Sequence, residues 1–146
     1  MAMRRYLVRD WMSPDPVTID PHTTLPEAHR LMKECAVRRL PVIEDGRLVG
    51  IVTQDDVREA SPAHSCALSI YELNYLIARL TVEQIMTRDP LTVAPDFSVE
   101  AAARLMLEHK IGGLPVMDGD RLVGIITESD IFRLLVNEGE LRPAFA

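Results

Sequence analysis

Two kinds of hydrophobic spacing alternate along this chain, and each pattern occurs twice in the same order. Leu25, Ala28, Leu31, Met32 and Cys35 fall on one face of a helix, and Val99, Ala102, Leu105 and Met106 repeat that face further on. Thr24 with Glu27 three residues later predicts a capping box for the first of these helices, and Pro26 is tolerated in its first turn. Ser98 is the matching N-cap of the second. A short stretch of extended character precedes each helix, Val17-Thr18-Ile19 and Leu91-Thr92-Val93. Two brief apolar runs follow, Leu40 to Ile43 and Leu48 to Thr53, joined by the tight-turn composition Glu44-Asp45-Gly46-Arg47. Asp118-Gly119-Asp120 makes the corresponding turn later in the chain, and a further helix starts near Gln54 and again near Glu128. The predicted order is strand, helix, strand, strand, helix, twice over.

The duplication is visible in the residues themselves. An offset of 74 residues sets Met12 on Met86, Pro16 on Pro90, Thr18 on Thr92 and Pro21 on Pro95 without a gap. It also sets Arg30-Leu31-Met32 on Arg104-Leu105-Met106, Leu40-Pro41-Val42 on Leu114-Pro115-Val116, and Arg47-Leu48-Val49-Gly50-Ile51 on Arg121-Leu122-Val123-Gly124-Ile125. Roughly two positions in five agree over about fifty, so the chain is two copies of one supersecondary unit. The copies span residues 8–60 and 81–136, with a connecting helix over 61–80 and a tail over 137–146. Within the connection, Ser61-Pro62 signals a turn, Ser69 with Glu72 forms another capping box, and Tyr71, Tyr75 and the leucines around them predict a packed helix. A small sheet covered on one face leaves the other apolar face bare, so the two copies are expected to pack as a pair.

Composition narrows the function. At 47% hydrophobic and 26% charged, the 146 residues are those of a folded globular protein. A net charge of −6 argues against nucleic acid and anionic membranes as partners, because both demand clustered cations; Arg4, Arg5 and Arg9 read as a solvated terminus. No apolar run is long enough to span a bilayer, and MAMRRYLVRD lacks the apolar stretch of a secretory signal, so a cytoplasmic setting is expected. Cys35 and Cys66 have no metal or disulfide spacing, and Cys35 is expected on the core side of its helix. His22, His29, His64 and His109 share no ligand spacing. Trp11 aligns with Ile85 and is expected to pack. No nucleophile triad, phosphate loop, zinc-protease or dinucleotide fingerprint is present, so the chain is not expected to be an enzyme and no cofactor is required.

The Met openings, the PVTI and PLTV stretches, the two LPV runs and the closings LVGIVTQDD and LVGIITESD resemble CBS (cystathionine β-synthase type) repeats over nearly the whole chain. That resemblance implies an α/β fold of two β-α-β-β-α repeats packed about a pseudo-twofold axis, with two clefts between them, and a homodimer. With no further domain in its sequence, the chain is similar to free-standing members, and its second repeat resembles acetoin-utilisation type proteins.

The strongest candidate for chemistry is Gly-x-x-Thr-x-x-Asp, at Gly50, Thr53, Asp56 and at Gly124, Thr127, Asp130. Glycine at a strand end admits a close backbone or a ligand. The threonine hydroxyl sits beside free N–H groups at a helix start, where an anion is favoured. The aspartate one turn later is able to accept from two hydroxyls, as a ribose diol offers. Thr-x-x-Asp is equally a helix-capping pattern that requires no ligand. Ser129 adds a hydroxyl in the second copy, whereas Asp55 occupies that place in the first and repels phosphate. Arg38-Arg39 supplies cations able to bind phosphate bidentately, or else forms a solvated edge or a dimer salt bridge; Gly112-Gly113 stands there in the second copy and offers only backbone N–H groups. The resemblance implies an adenosine-nucleotide site, with aspartate on ribose and threonine near phosphate. It also implies that Thr18-Ile19 and Thr92-Val93 line the base pocket, although Ile19 and Val93 are natural core-strand residues. The function that follows is a regulatory, ligand-sensing module for AMP, ADP or ATP, with S-adenosylmethionine as a further ligand and an unidentified protein as reader. The alternative is a structural dimerisation or protein-docking module without nucleotide.

Overall fold

The two spacings fold as their periods require. The computed structural model of the chain describes residues 6–60, 75 and 78–141. Along it run α1 (Val8–Trp11), β1 (Ser13–Pro14), α2 (Leu25–Glu34), β2 (Arg39–Glu44), β3 (Arg47–Thr53) and α3 (Gln54–Ala60). The second series is α4 (Val82–Ile85), β4 (Thr87–Arg88), α5 (Val99–His109), β5 (Gly113–Asp118), β6 (Arg121–Thr127) and α6 (Glu128–Leu141). Thr24 accepts from Glu27 N at 3.4 Å and Ser98 from Ala101 N at 3.0 Å, so both expected N-caps form. Each long hairpin is antiparallel, with Arg39 opposite Thr53 in one and Gly113 opposite Thr127 in the other. Asp45 and Gly46 both take positive φ (51° and 78°), the pattern of a type I′ turn, which suits the right-handed twist of the strands. In the second hairpin Gly119 takes it at 62° while Asp120 does not, the φ pattern of type II′.

The spatial units are cut differently from the sequence repeats. One unit joins the described residues of 1–16 to those of 91–146; the other is made from 17–90. The chain passes between them at Pro16–Val17 and at Pro90–Leu91, positions related by the same offset as the repeat. Each unit therefore carries the opening segment of the other repeat. α1 and β1 pack with the second repeat, β1 pairing with β6, while α4 and β4 pack with the first, β4 pairing with β3. The three-stranded sheets run β1-β6-β5 and β2-β3-β4.

The stretches expected as leading strands shrink to single parallel bridges, Ile19 with Val42 and Val93 with Val116. Prolines at 16 and 21, and at 90 and 95, bracket them and remove the donors that a longer ladder needs. The cores follow the units. Ile19, Ala28, Met32, Leu40, Val42, Val52 and Val82 form one, and Val8, Val93, Val99, Ala102, Met106, Leu114, Val116, Ile126 and Leu134 the other. Trp11 packs against the second of these and meets Tyr6 edge-on at 6.2 Å, as expected of a packing residue.

Two expectations are corrected. Cys35 is exposed: it continues the helical bonding, its N–H reaching the Leu31 carbonyl, but it stands at the C-cap, where the chain turns away at Ala36 and the helix end is not covered by the core. Tyr75 is helical but 56% exposed, with the Arg79 guanidinium 4.2 Å above its ring, so it does not pack into a core. Tyr71 and the capping box at Ser69 and Glu72 lie outside the described residues.

The motif glycines explain why the exchanged segments dock where they do. A Cβ on Gly50 would stand 2.6 Å from Met86 Sδ and 2.9 Å from the Thr87 carbonyl oxygen; on Gly124 it would meet Met12 Sδ at 2.5 Å and the Ser13 carbonyl at 2.9 Å. A methionine tip yields, but a strand carbonyl does not. Gly124→Ala is therefore expected to lower stability by about 2–3 kcal/mol. Gly46→Ala, with nothing within 4 Å and only an unfavourable φ, is expected to cost about 1 kcal/mol. Urea unfolding of the two variants checks the order.

Candidate functional site

The unit of residues 17–90 gathers all the candidate residues of the first repeat. Ile19 N donates to the Pro41 carbonyl at 3.0 Å and Ile43 N to the Ile19 carbonyl at 2.8 Å, which lays residues 17–19 parallel to β2. β3 runs back beside β2, so Thr53 ends opposite the start of β2 at Arg39. The Arg38 carbonyl then accepts from Gln54 N at 2.8 Å, tying the strand entrance to the first residue of α3. The N-terminal end of β2, the C-terminal end of β3 and the segment holding Thr18 thus meet at one end of the sheet. Thr18 and Arg38 are exposed there, and Arg39, Thr53 and Asp56 are half-buried.

Thr53 and Asp56 also form a complete capping box. Asp56 N donates to Thr53 Oγ1 at 3.1 Å, and Thr53 N donates to Asp56 Oδ2 at 2.8 Å. Of the Asp56 carboxylate only Oδ2 is engaged in this box, so a capped helix start coexists with a partly exposed carboxylate. Asp55 is exposed and lies 3.9 Å from Arg58, a solvated pair that contributes little.

The other unit repeats the backbone and changes the chemistry. The Gly112 carbonyl accepts from Glu128 N at 3.0 Å, matching Arg38 and Gln54, and Gly113 faces Thr127. Asp130 Oδ2 accepts from Thr127 N at 2.9 Å and from Thr127 Oγ1 at 3.2 Å. Its Oδ1 accepts from Arg133 Nη2 at 2.8 Å, and the same nitrogen donates to the Trp11 carbonyl at 3.1 Å. Asp130 is only 3% exposed. Both carboxylate oxygens accept bonds from the protein, and the Arg133 guanidinium that holds Oδ1 is the more exposed member of the pair. This corrects the expectation that Asp130 is open to a diol. Arg133 was not among the sequence candidates. The signal was present, since the offset sets Arg133 on Glu59 and so reverses charge beside an otherwise identical Thr-x-x-Asp.

Further candidates are reassigned by burial. Ile19 (7% exposed) and Val93 (2%) point into the cores, so their side chains do not line a pocket; Thr18 and Thr92 beside them are exposed. Gly50 and Gly124 are covered by Met86 and Met12, so the close approach they permit is by the chain itself and not by a ligand. Ser129 is exposed in the first turn of α6. Among the described residues no group of acidic, histidine and cysteine side chains is arranged to hold a metal ion, and no helix is long and apolar enough to cross a membrane.

Known proteins resemble this chain in sequence and fold. The CBS domain family model matches residues 8–63 and 82–137. A CBS domain-containing protein of Dictyostelium discoideum is 35% identical over 134 residues, covering 90% of this chain and 92% of its own length. The crystal structure of the CBS domain pair of protein MJ0100 in complex with 5′-methylthioadenosine and S-adenosyl-L-methionine superposes with a TM-score of 0.78 at 31% identity, over 92% of this chain and 99% of that one. CBSX2 in complex with AMP superposes at 0.73 and 36% identity, over 91% and 98%. Some relatives are much longer: the chain spans 22% of the inosine-5′-monophosphate dehydrogenase of Korarchaeum cryptofilum, to which it is 37% identical over 119 residues.

The two carboxylates are expected to differ in what they hold together. Asp56→Ala removes a cap and should lower stability by about 1 kcal/mol. Asp130→Ala leaves Thr127 N, Thr127 Oγ1 and Arg133 without their shared acceptor and should cost about 2–3 kcal/mol. Equal losses in denaturant titrations would contradict the unequal bonding.

Proposed function

The chain belongs to the CBS domain family, and on that premise we propose that it is a ligand-sensing regulatory module whose ligand is an adenosine nucleotide, AMP, ADP or ATP. The reading is of binding, not of catalysis. The observation that carries it is the convergence of Thr18, Arg38, Arg39, Thr53 and Asp56 at one end of the sheet in the unit of residues 17–90. Asp56 offers a half-buried carboxylate to a ribose diol, Thr53 holds it in place, and the two arginines provide the donors that a phosphate requires. The ligands of the MJ0100 pair and of CBSX2 all contain adenosine, which supports the class. Binding would shift the population between arrangements of the pair, by no more than the difference in affinity for them, and a partner protein would read that shift.

A second reading is assembly without nucleotide, through a homodimer or a docked protein. It is supported by α6, where Phe132, Leu135 and Val136 are spaced as one helical face and are 58%, 60% and 59% exposed.

Calorimetric titration with AMP, ADP, ATP and S-adenosylmethionine separates the two. The nucleotide reading expects binding in the micromolar range, weakened at least tenfold, about 1.4 kcal/mol, by Arg38→Ala together with Arg39→Ala. No heat and no thermal shift with any of the four would favour assembly.

A further inference from the structure

We infer that Arg133 closes the second repeat's site, so that the chain takes one nucleotide, in the unit of residues 17–90, and holds the equivalent position shut by an internal ion pair. The inference rests on the nucleotide reading above and adds which repeat works and which residue decides it.

The two Thr-x-x-Asp motifs share the bond from threonine N to the aspartate Oδ2 (2.8 and 2.9 Å). They differ in what stands three residues after the aspartate. In the second repeat it is Arg133, whose Nη2 bonds Asp130 Oδ1 at 2.8 Å and the Trp11 carbonyl at 3.1 Å. In the first it is Glu59, exposed and of the wrong charge to approach a carboxylate. The consequence is visible in exposure: the Asp130 side chain is 4% exposed beneath an Arg133 side chain that is itself 55% exposed. Among the described residues no cation is bonded to Asp56, which stays half-buried.

A ribose diol binds a carboxylate by donating two hydroxyl hydrogens to it. At Asp130 both carboxylate oxygens already accept, Oδ2 from Thr127 N and Thr127 Oγ1 and Oδ1 from Arg133, and the residue is 3% exposed. A ligand would have to displace the Arg133 ion pair to make hydroxyl bonds to the same carboxylate, giving up a contact between two opposite charges for one between a charge and a dipole. Nor would phosphate recover the loss there, because Gly112-Gly113 replaces the arginine pair. The second repeat therefore keeps the fold of a site while giving its carboxylate to the protein. The Trp11 contact makes the closure firm. It anchors the guanidinium to the segment preceding β1, so Arg133 is held at two points rather than swinging freely.

The test exchanges the two residues. Calorimetry with AMP and with 5′-methylthioadenosine, which has the diol but no phosphate, is run on the wild-type chain, Arg133→Ala and Glu59→Arg. The wild type should bind one AMP per chain, lost with Asp56→Ala. Arg133→Ala should gain a second equivalent for 5′-methylthioadenosine, and Glu59→Arg should weaken AMP by about tenfold or more by setting a guanidinium on Asp56. If Arg133→Ala fails to fold, Glu59→Arg still decides: unchanged or tighter AMP binding overturns the inference. So do two AMP per wild-type chain, or a stoichiometry of one in Arg133→Ala with both ligands, and in those cases the nucleotide reading survives. No binding of either ligand by any of the proteins defeats that reading, and the inference with it.

Discussion

The rest of the structure depends on two places where a short strand and the methionine before it approach a paired strand too closely for a side chain to stand there. At Gly50 the Met86 side chain and the Thr87 carbonyl close on β3, and at Gly124 the Met12 side chain and the Ser13 carbonyl close on β6. The missing Cβ at each position lets the short strands β4 and β1 complete three-stranded sheets. Because those strands come from the opening of the other repeat, neither sheet is finished by its own repeat alone. The exchange makes folding of the pair mutually dependent, since each unit lacks a strand and a buried valine, Val8 or Val82, until the other half of the sequence supplies it. A duplicated sequence held together this way keeps both copies even when only one of them retains a chemical role.

That freedom shows at the motif carboxylates. Capping the following helix is the duty both aspartates share, and it consumes only part of a carboxylate. What happens to the remainder is set by a single neighbouring residue. Arg133 turns Asp130 into a buried structural anchor that ties α6 to the end of α1, whereas Glu59 leaves Asp56 to solvent or ligand. The arginine pair before β2 and the glycine pair before β5 follow the same division, with charge on the side where the carboxylate is open. Two independent differences therefore point to the same repeat. The exposed stripe of Phe132, Leu135 and Val136 lies in the other, where Phe132 replaces Arg58.

Much of this was legible in the sequence. The helices around Leu25 and Val99, their Thr24 and Ser98 caps, both hairpins and the starts of α3 and α6 follow from local spacing and turn chemistry, which act over a few residues. The Thr-x-x-Asp boxes were legible for the same reason. What local pattern cannot carry is pairing between distant segments. β1 and β4 are two residues long and take their identity from strands of the other repeat, and the leading strands shorten because flanking prolines deny them a ladder. The helical period places Cys35 on the core side of α2, but a period does not tell where the core stops, and Cys35 stands at the exposed C-cap end. The occupation of Asp130 was readable only by comparing the repeats where they differ, at Glu59 and Arg133, and not where they agree.

The most direct test of this account follows backbone amide resonances as AMP is added to the uniformly labelled protein. The account predicts that the amides of Arg39, Thr53 and Asp56 shift while those of Gly113, Thr127 and Asp130 stay in place. Shifts of comparable size in both sets, or shifts confined to the second, would contradict it.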